Sequence, residues 1–275
     1  MKPLIKLEFI KLIQQPVVWL ITICSFLLLI VTKIFYYVST TTSTTANAWE
    51  AIATFPYMEG TLVQAAILLA ALPAVFSGEY ESKMDALLLS SSHGKKQVIF
   101  AKILATILFT TSVVLLSWLL GSIIHWLFTT HADPYASIAS LTNHEQTPYH
   151  FSLWQYSFVQ LVTNWIGAIA FSMFILYVSV HTRHYIISYF IGGLLLTLTF
   201  FIRNFSVFSV EWVLKYMTLI DVMRVQNMFS RERFVMIGNY TLSLPISIFY
   251  SYVIVAICMF SFGCYYHFKH RQVTS

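Results

Sequence analysis

The sequence predicts an all-α membrane protein. Six transmembrane helices have both termini on the cytoplasmic side, an interfacial helix precedes the first span, and a polar linking segment joins the second to the third. Three observations predict this. Of 275 residues, 58% are hydrophobic and 10% charged, against about 25% charged in a soluble domain, and mean hydropathy is +0.73. Six apolar runs, 17–38, 60–76, 98–128, 156–180, 185–202 and 245–266, qualify against the roughly 20 residues a span needs. The lysines and arginines are distributed unevenly between the connections. No connection leaves room for a soluble domain, so residues 1–275 read as one transmembrane domain.

Residues 1–15 come first. Ile5, Phe9, Leu12 and Ile13 share a helical stripe that Lys6, Glu8 and Lys11 avoid, which predicts an interfacial helix along the inner leaflet, ended by Pro16. A frayed terminus is the alternative. A basic start before an apolar run also suits a signal peptide. No small-x-small site follows Val31, however, and Lys33, Phe35, Tyr36 and Tyr37 form an interfacial anchor, so 17–38 is read as a retained span.

In the second span Ala66, Ala70, Ala74 and Gly78 recur every four residues, a smooth stripe for close helix packing, and Pro73 predicts a kink. The alternative is that alanine is simply common in membranes. Residues 77–97 form the longest polar interruption on the inner side. Met84, Leu87, Leu88 and Ser91 lie at helical spacing there, which suits a short helix seated in a partner's groove, or else an ordinary solvated loop. The third run is long enough to tilt or to project beyond the bilayer. Residues 203–244 mix apolar residues with Glu211, Lys215, Asp221 and Arg224, as short helices dipping into the outer leaflet would, or as a surface amphipathic helix would. Ser243 then caps the last span, with Pro245 in its first turn.

Orientation follows from the basic residues. With the N-terminus inside, the inner side holds Lys2, Lys6, Lys11, Lys83, Lys95, Lys96, Lys102, Arg183, Lys269 and Arg271, ten in all. The outer side holds six, five of them in the single connection 203–244. Positive charge gathers on the cytoplasmic face of membrane proteins. The same clustering between spans argues against nucleic acid as a partner.

Chemistry on the chain itself is sparse. His93-Gly94-Lys95 lacks the upstream glycine and the following Ser or Thr of a phosphate-cradling loop, so no ATPase site and no other catalytic site is expected. Cys24, Cys258 and Cys264 fall in apolar runs without disulfide or metal spacing and read as small core hydrophobes. His181 and His184, three apart, could share a metal but read better as interfacial residues; no metal site is expected. The deepest polar side chains are Gln64, Gln160 and Asn164, which either line a path for an amphipathic substrate or bond between helices.

The order of these features resembles the type-2 permease family of ATP-binding-cassette (ABC) exporters. In that family the link between spans two and three reads acid, Gly-Thr, a leucine-rich turn, Ser-x-Pro, Ser-Arg, then a lysine opening span three. Here Glu79 and Glu81 are the acids, Leu87, Leu88, Leu89 and Ser90 the turn, Lys95 the base and Lys102 the lysine; Ser82-Lys83, Ser92 and Gly94 depart from the pattern. The resemblance implies that 77–97 is a coupling helix docked in a cytoplasmic ABC ATPase subunit. Two copies of that subunit would bind ATP and Mg, and no cofactor would sit on this chain. Met84, Leu87 and Leu88 would be the buried anchors, with Ser91 on the same docking face, and Glu79, Glu81, Lys95 and Lys96 the docking charges. A second permease chain, identical or homologous, would complete the pathway in a bacterial cell membrane, among membrane lipid. Sparse charge in the span centres favours a hydrophobic or amphipathic cargo, such as a lipid, drug or antimicrobial peptide. A non-transporting immunity or sensor subunit and an unrelated six-span membrane protein are the alternatives.

Overall fold

The computed structural model describes residues 1–39, 48–57, 59–81, 94–129, 133–141, 144–145, 147–182, 184–202, 219–225, 229, 234–237, 240–243 and 246–270. Among them the regular elements are helices apart from one short hairpin, with turns and an isolated Ser137–Ser152 bridge between 133 and 152. The helices are α1 (Lys2–Ile13), α2 (Pro16–Ser39), α3 (Ala48–Thr54), α4 (Glu59–Ala71), α5 (Ala74–Glu81), α6 (Gly94–Leu127), α7 (Leu153–His181), α8 (Tyr185–Ile202), α9 (Leu219–Arg224) and α10 (Ile246–His270). Strands β1 (Phe234–Ile237) and β2 (Tyr240–Ser243) pair antiparallel, Phe234 opposite Ser243.

Five helical stretches are long and apolar enough to cross a membrane: Pro16–Phe35, Glu59–Glu81, Lys96–Leu127, Leu153–His181 and Ile246–His270. This is the architecture of a multi-pass membrane protein. The other expected span is α8, which is apolar over Tyr185–Leu198, the part whose side chains are described. Helix α6 has 34 residues, about 50 Å at 1.5 Å per residue, and so exceeds the roughly 30 Å hydrocarbon layer.

The bundle has a centre and a rim. In α4–α5 and α7, 72% and 67% of the apolar window is buried, against 11% in α2 and 17% in α10. The core gathers Leu68, Ala71, Leu72, Phe109, Val114, Phe171 and Ile175, with Leu12 and Val18 from the first two helices. Backbones come close where side chains are absent. A Cβ on Gly167 of α7 would lie 2.7 Å from the Met223 backbone nitrogen of α9.

Several expectations change. The stripe Ile5, Phe9, Leu12 and Ile13 faces the protein rather than lipid: Leu12 is buried and Phe9 and Ile13 pack on the core. Glu8, expected on the polar face, is buried. Cys24 and Cys258 are exposed on the bundle surface, and only Cys264 is a core residue. Ser243 ends β2, and the last helix is described from Ile246 onward. The runs FVMI and YTLS, β-branched and aromatic around Gly238-Asn239, have hairpin composition, which wins over the helical reading there.

Candidate functional site

Four charges meet where α1, α5 and α6 converge, at the base of the linking segment. Lys102 of α6 is 1% exposed, and its ammonium donates to Glu79 Oε1 of α5 (2.7 Å), to the Val75 carbonyl (2.9 Å) and to Glu8 Oε2 of α1 (3.0 Å). Lys11 Nζ donates to Glu8 Oε1 at 2.8 Å and lies 3.6 Å from Glu79 Oε1. The Phe76 ring sits 5.2 Å from the Lys102 ammonium. A buried charge is tolerated when paired and hydrogen-bonded, and Lys102 has two carboxylates, a carbonyl and a ring face.

Burial pushes the Glu8 carboxyl up, but the Lys102 charge and hydrogen bonds from Lys11 and Lys102 more than offset it, so the group lies below its ordinary 4.5. Burial lowers the Lys11 ammonium, and the bond to Glu8 with the Glu8 and Glu79 charges reverses this, so it lies above 10.5. Beside the cluster is a cavity of about 250 Å³ whose wall includes Gln15, Ala74, Gly78 and Ala105.

The break preceding Glu79 is held from three sides. Pro73 has no N–H, so the helix stops at Ala71 and restarts at Ala74. Ser179 Oγ of α7 accepts from the Phe76 and Ser77 N–H groups (3.1 and 3.2 Å) and donates to the Pro73 carbonyl (2.7 Å), which also receives the Ser77 hydroxyl. Tyr189 Oη of α8 donates to the Ala70 carbonyl (2.6 Å), and Gln15 Nε2 to that of Ala71 (3.4 Å). Each supplies a partner that a broken helix in lipid would otherwise lack.

The named site residues fall in different places. Glu79 is inside the charge cluster, its side chain 14% exposed. Glu81 is more open, and its Oε1 lies 3.1 Å from His184 Nδ1. His181 stacks on His267 at 3.9 Å between ring centroids. Met84, Leu87, Leu88 and Ser91 lie outside the described residues, as does the side chain of Lys95; Lys96 is exposed in the first turn of α6. In the small-residue stripe Ala70 is buried, whereas Ala66, Ala74 and Gly78 are half-buried. Gln64 Nε2 donates to Ser117 Oγ of α6 (2.9 Å), and Asn164 Nδ2 to the Met223 carbonyl of α9 (2.7 Å). Gln160 is buried on the same helix, one turn before Asn164.

Sequence reasoning missed Glu8, Ser179, Tyr189 and Gln15. A signal existed for the first. Leu4, Glu8 and Leu12 form one i, i+4 row, and an acid between two leucines on a packing face implies a buried cation opposite. Nothing local marks the others, whose role follows from where Pro73 leaves carbonyls exposed.

No protein-family model matches the chain, and no curated protein matches it.

Proposed function

We propose that the chain is the transmembrane permease subunit of an ABC transporter, moving a hydrophobic or amphipathic substrate with ATP hydrolysed by a separate cytoplasmic subunit. Six spans, with α8 as the fifth, would place both termini in the cytoplasm of a cell membrane. The observation that carries the reading is the way both flanks of residues 82–93 are anchored. Glu79 and Glu81 precede that segment and Lys102 follows it. Glu79 pairs with Lys102, which also holds Glu8 of α1, in a buried cluster, and Glu81 meets His184 in an exposed contact just before α8. A displacement of the segment by a docked ATPase would therefore pass to α1, α5, α6 and α8 together, and the break at Pro73 gives α5 a place to pivot.

The character of the bundle supports an apolar cargo. Some of the polar side chains inside it bond between helices, Thr110 with Ser172 at 2.8 Å and Trp165 with Thr111 at 2.9 Å. A groove of about 260 Å³ between α2, α4 and α6 is walled by Phe26, Ile67, Phe109, Val113 and Leu116, with Ser117 among its few polar groups. Helix α9, seated on the middle of α7 at Asn164 and Gly167, supports an outer segment that dips into the bundle and returns.

The test is the double substitution Leu87→Asp, Leu88→Asp in the intact complex. Membrane insertion at the normal level with loss of the co-purifying ATPase is the expected result. Unchanged co-purification together with unchanged transport would overturn the assignment.

A further inference from the structure

Helix α1 sorts its residues into four rows with i, i+4 spacing. The rows containing Leu4, Glu8 and Leu12 and containing Ile5, Phe9 and Ile13 are buried or half-buried. The other two, Lys2, Lys6 and Ile10, and Pro3, Leu7 and Lys11, are exposed. The one acid on the helix, Glu8, is turned inward and paired, so the outer face carries positive charge without a negative one. It is also apolar in part, with Leu7 49% and Ile10 37% exposed.

We infer that this face is a binding surface for anionic phospholipid headgroups. Leu7 and Ile10 would enter the headgroup–acyl boundary while Lys2 and Lys6 extend their apolar stems along it and reach the phosphates. Continuity with the membrane-facing surface favours lipid over protein as the occupant. Exposed Val17 and Leu20 of α2 follow within one turn of Pro16, and the Trp19 indole N–H donates to the Ile13 carbonyl at 2.7 Å, fixing an aromatic ring of the interfacial kind at the corner. Lys11 is held by Glu8 and Glu79, so Lys2 and Lys6 carry the selectivity.

This does not depend on the ATPase reading, since any multi-pass protein with this helix would show it. The full chain, purified and delipidated, is titrated at low ionic strength with phosphatidylglycerol or phosphatidylcholine, and bound lipid is counted by native mass spectrometry. Wild type should prefer phosphatidylglycerol. Each lysine near an anionic surface contributes about 5-fold, so Lys2→Gln with Lys6→Gln should lower the preference about 30-fold. Lys2→Arg with Lys6→Arg should keep it, and raised salt should erase it in the wild type. Equal binding of the two lipids by wild type, or a preference that survives the glutamine pair, would overturn the inference. So would a glutamine pair that keeps the lipid preference but loses a co-purifying subunit, which would make the face a protein contact.

Discussion

Lys102 shows how much of this molecule depends on single buried charges. Its ammonium is shared by Glu8 and Glu79, and removing it leaves two carboxylates facing one another with only Lys11, half in solvent, between them. Lys102→Met should therefore cost about 3–5 kcal/mol, read as a large drop in thermal midpoint in detergent. Adding Glu8→Gln to Lys102→Met should recover part of the loss, because the partners are coupled. The acid limb follows from Glu8. Its carboxyl is lowered in the folded protein, so its contribution is complete above 4.5 and is lost as pH falls below that through the folded value. The stability difference between wild type and Glu8→Gln should be constant from neutral pH down to about 4.5 and then shrink. On the alkaline side the Lys11 contribution is complete below 10.5 and lost as pH rises past it. Lys102 and Glu79 were both legible in the sequence as residues flanking a special segment. Their pairing was not, because Glu8 stands 94 positions from Lys102 and no local period reports a contact at that distance.

At the scale of elements, Pro73 was legible as a kink, and it does divide α4 from α5. What the sequence could not reveal is that the break is stabilised from outside. Ser179→Ala removes the acceptor for two N–H groups and a donor to the Pro73 carbonyl, and should cost about 1–2 kcal/mol of thermal stability. Combined with Pro73→Ala, which restores a backbone N–H, the Ser179 effect should fall, and a double-mutant cycle of melting temperatures measures it. Gly167 makes a second case. A Cβ there meets the α9 backbone rather than a movable side chain, so Gly167→Ala should push α9 away from α7 and break the Asn164–Met223 bond. Faster proteolysis within 203–244 would report it. The α9–α7 seat was hidden because Gly167 looks like any small residue in an apolar run, and the strands 234–237 and 240–243 were hidden because their apolar residues also suit a helix.

Across the whole molecule, five of the six apolar runs coincide with helices long and apolar enough to cross a membrane, since about 20 apolar residues have few other uses. Hydropathy did not say which were central. Burial separates α4, α5 and α7 from the rim helices α2 and α10, whose outer faces are left for lipid or a second chain. That arrangement depends on contacts between segments far apart in the sequence, such as Gln64 with Ser117 and Ser179 with Pro73. The charge junction, the stapled break and the two acids before residue 82 share one geometry: each ties a helix to the root of the linking segment. The reading of the chain as an ATP-driven permease stands or falls on what that segment touches. Photo-cross-linking from position 88 in native membranes, with the adduct identified by mass spectrometry, measures this directly. The account predicts an adduct with a protein that carries a phosphate-cradling nucleotide loop; adducts with lipid alone would contradict it.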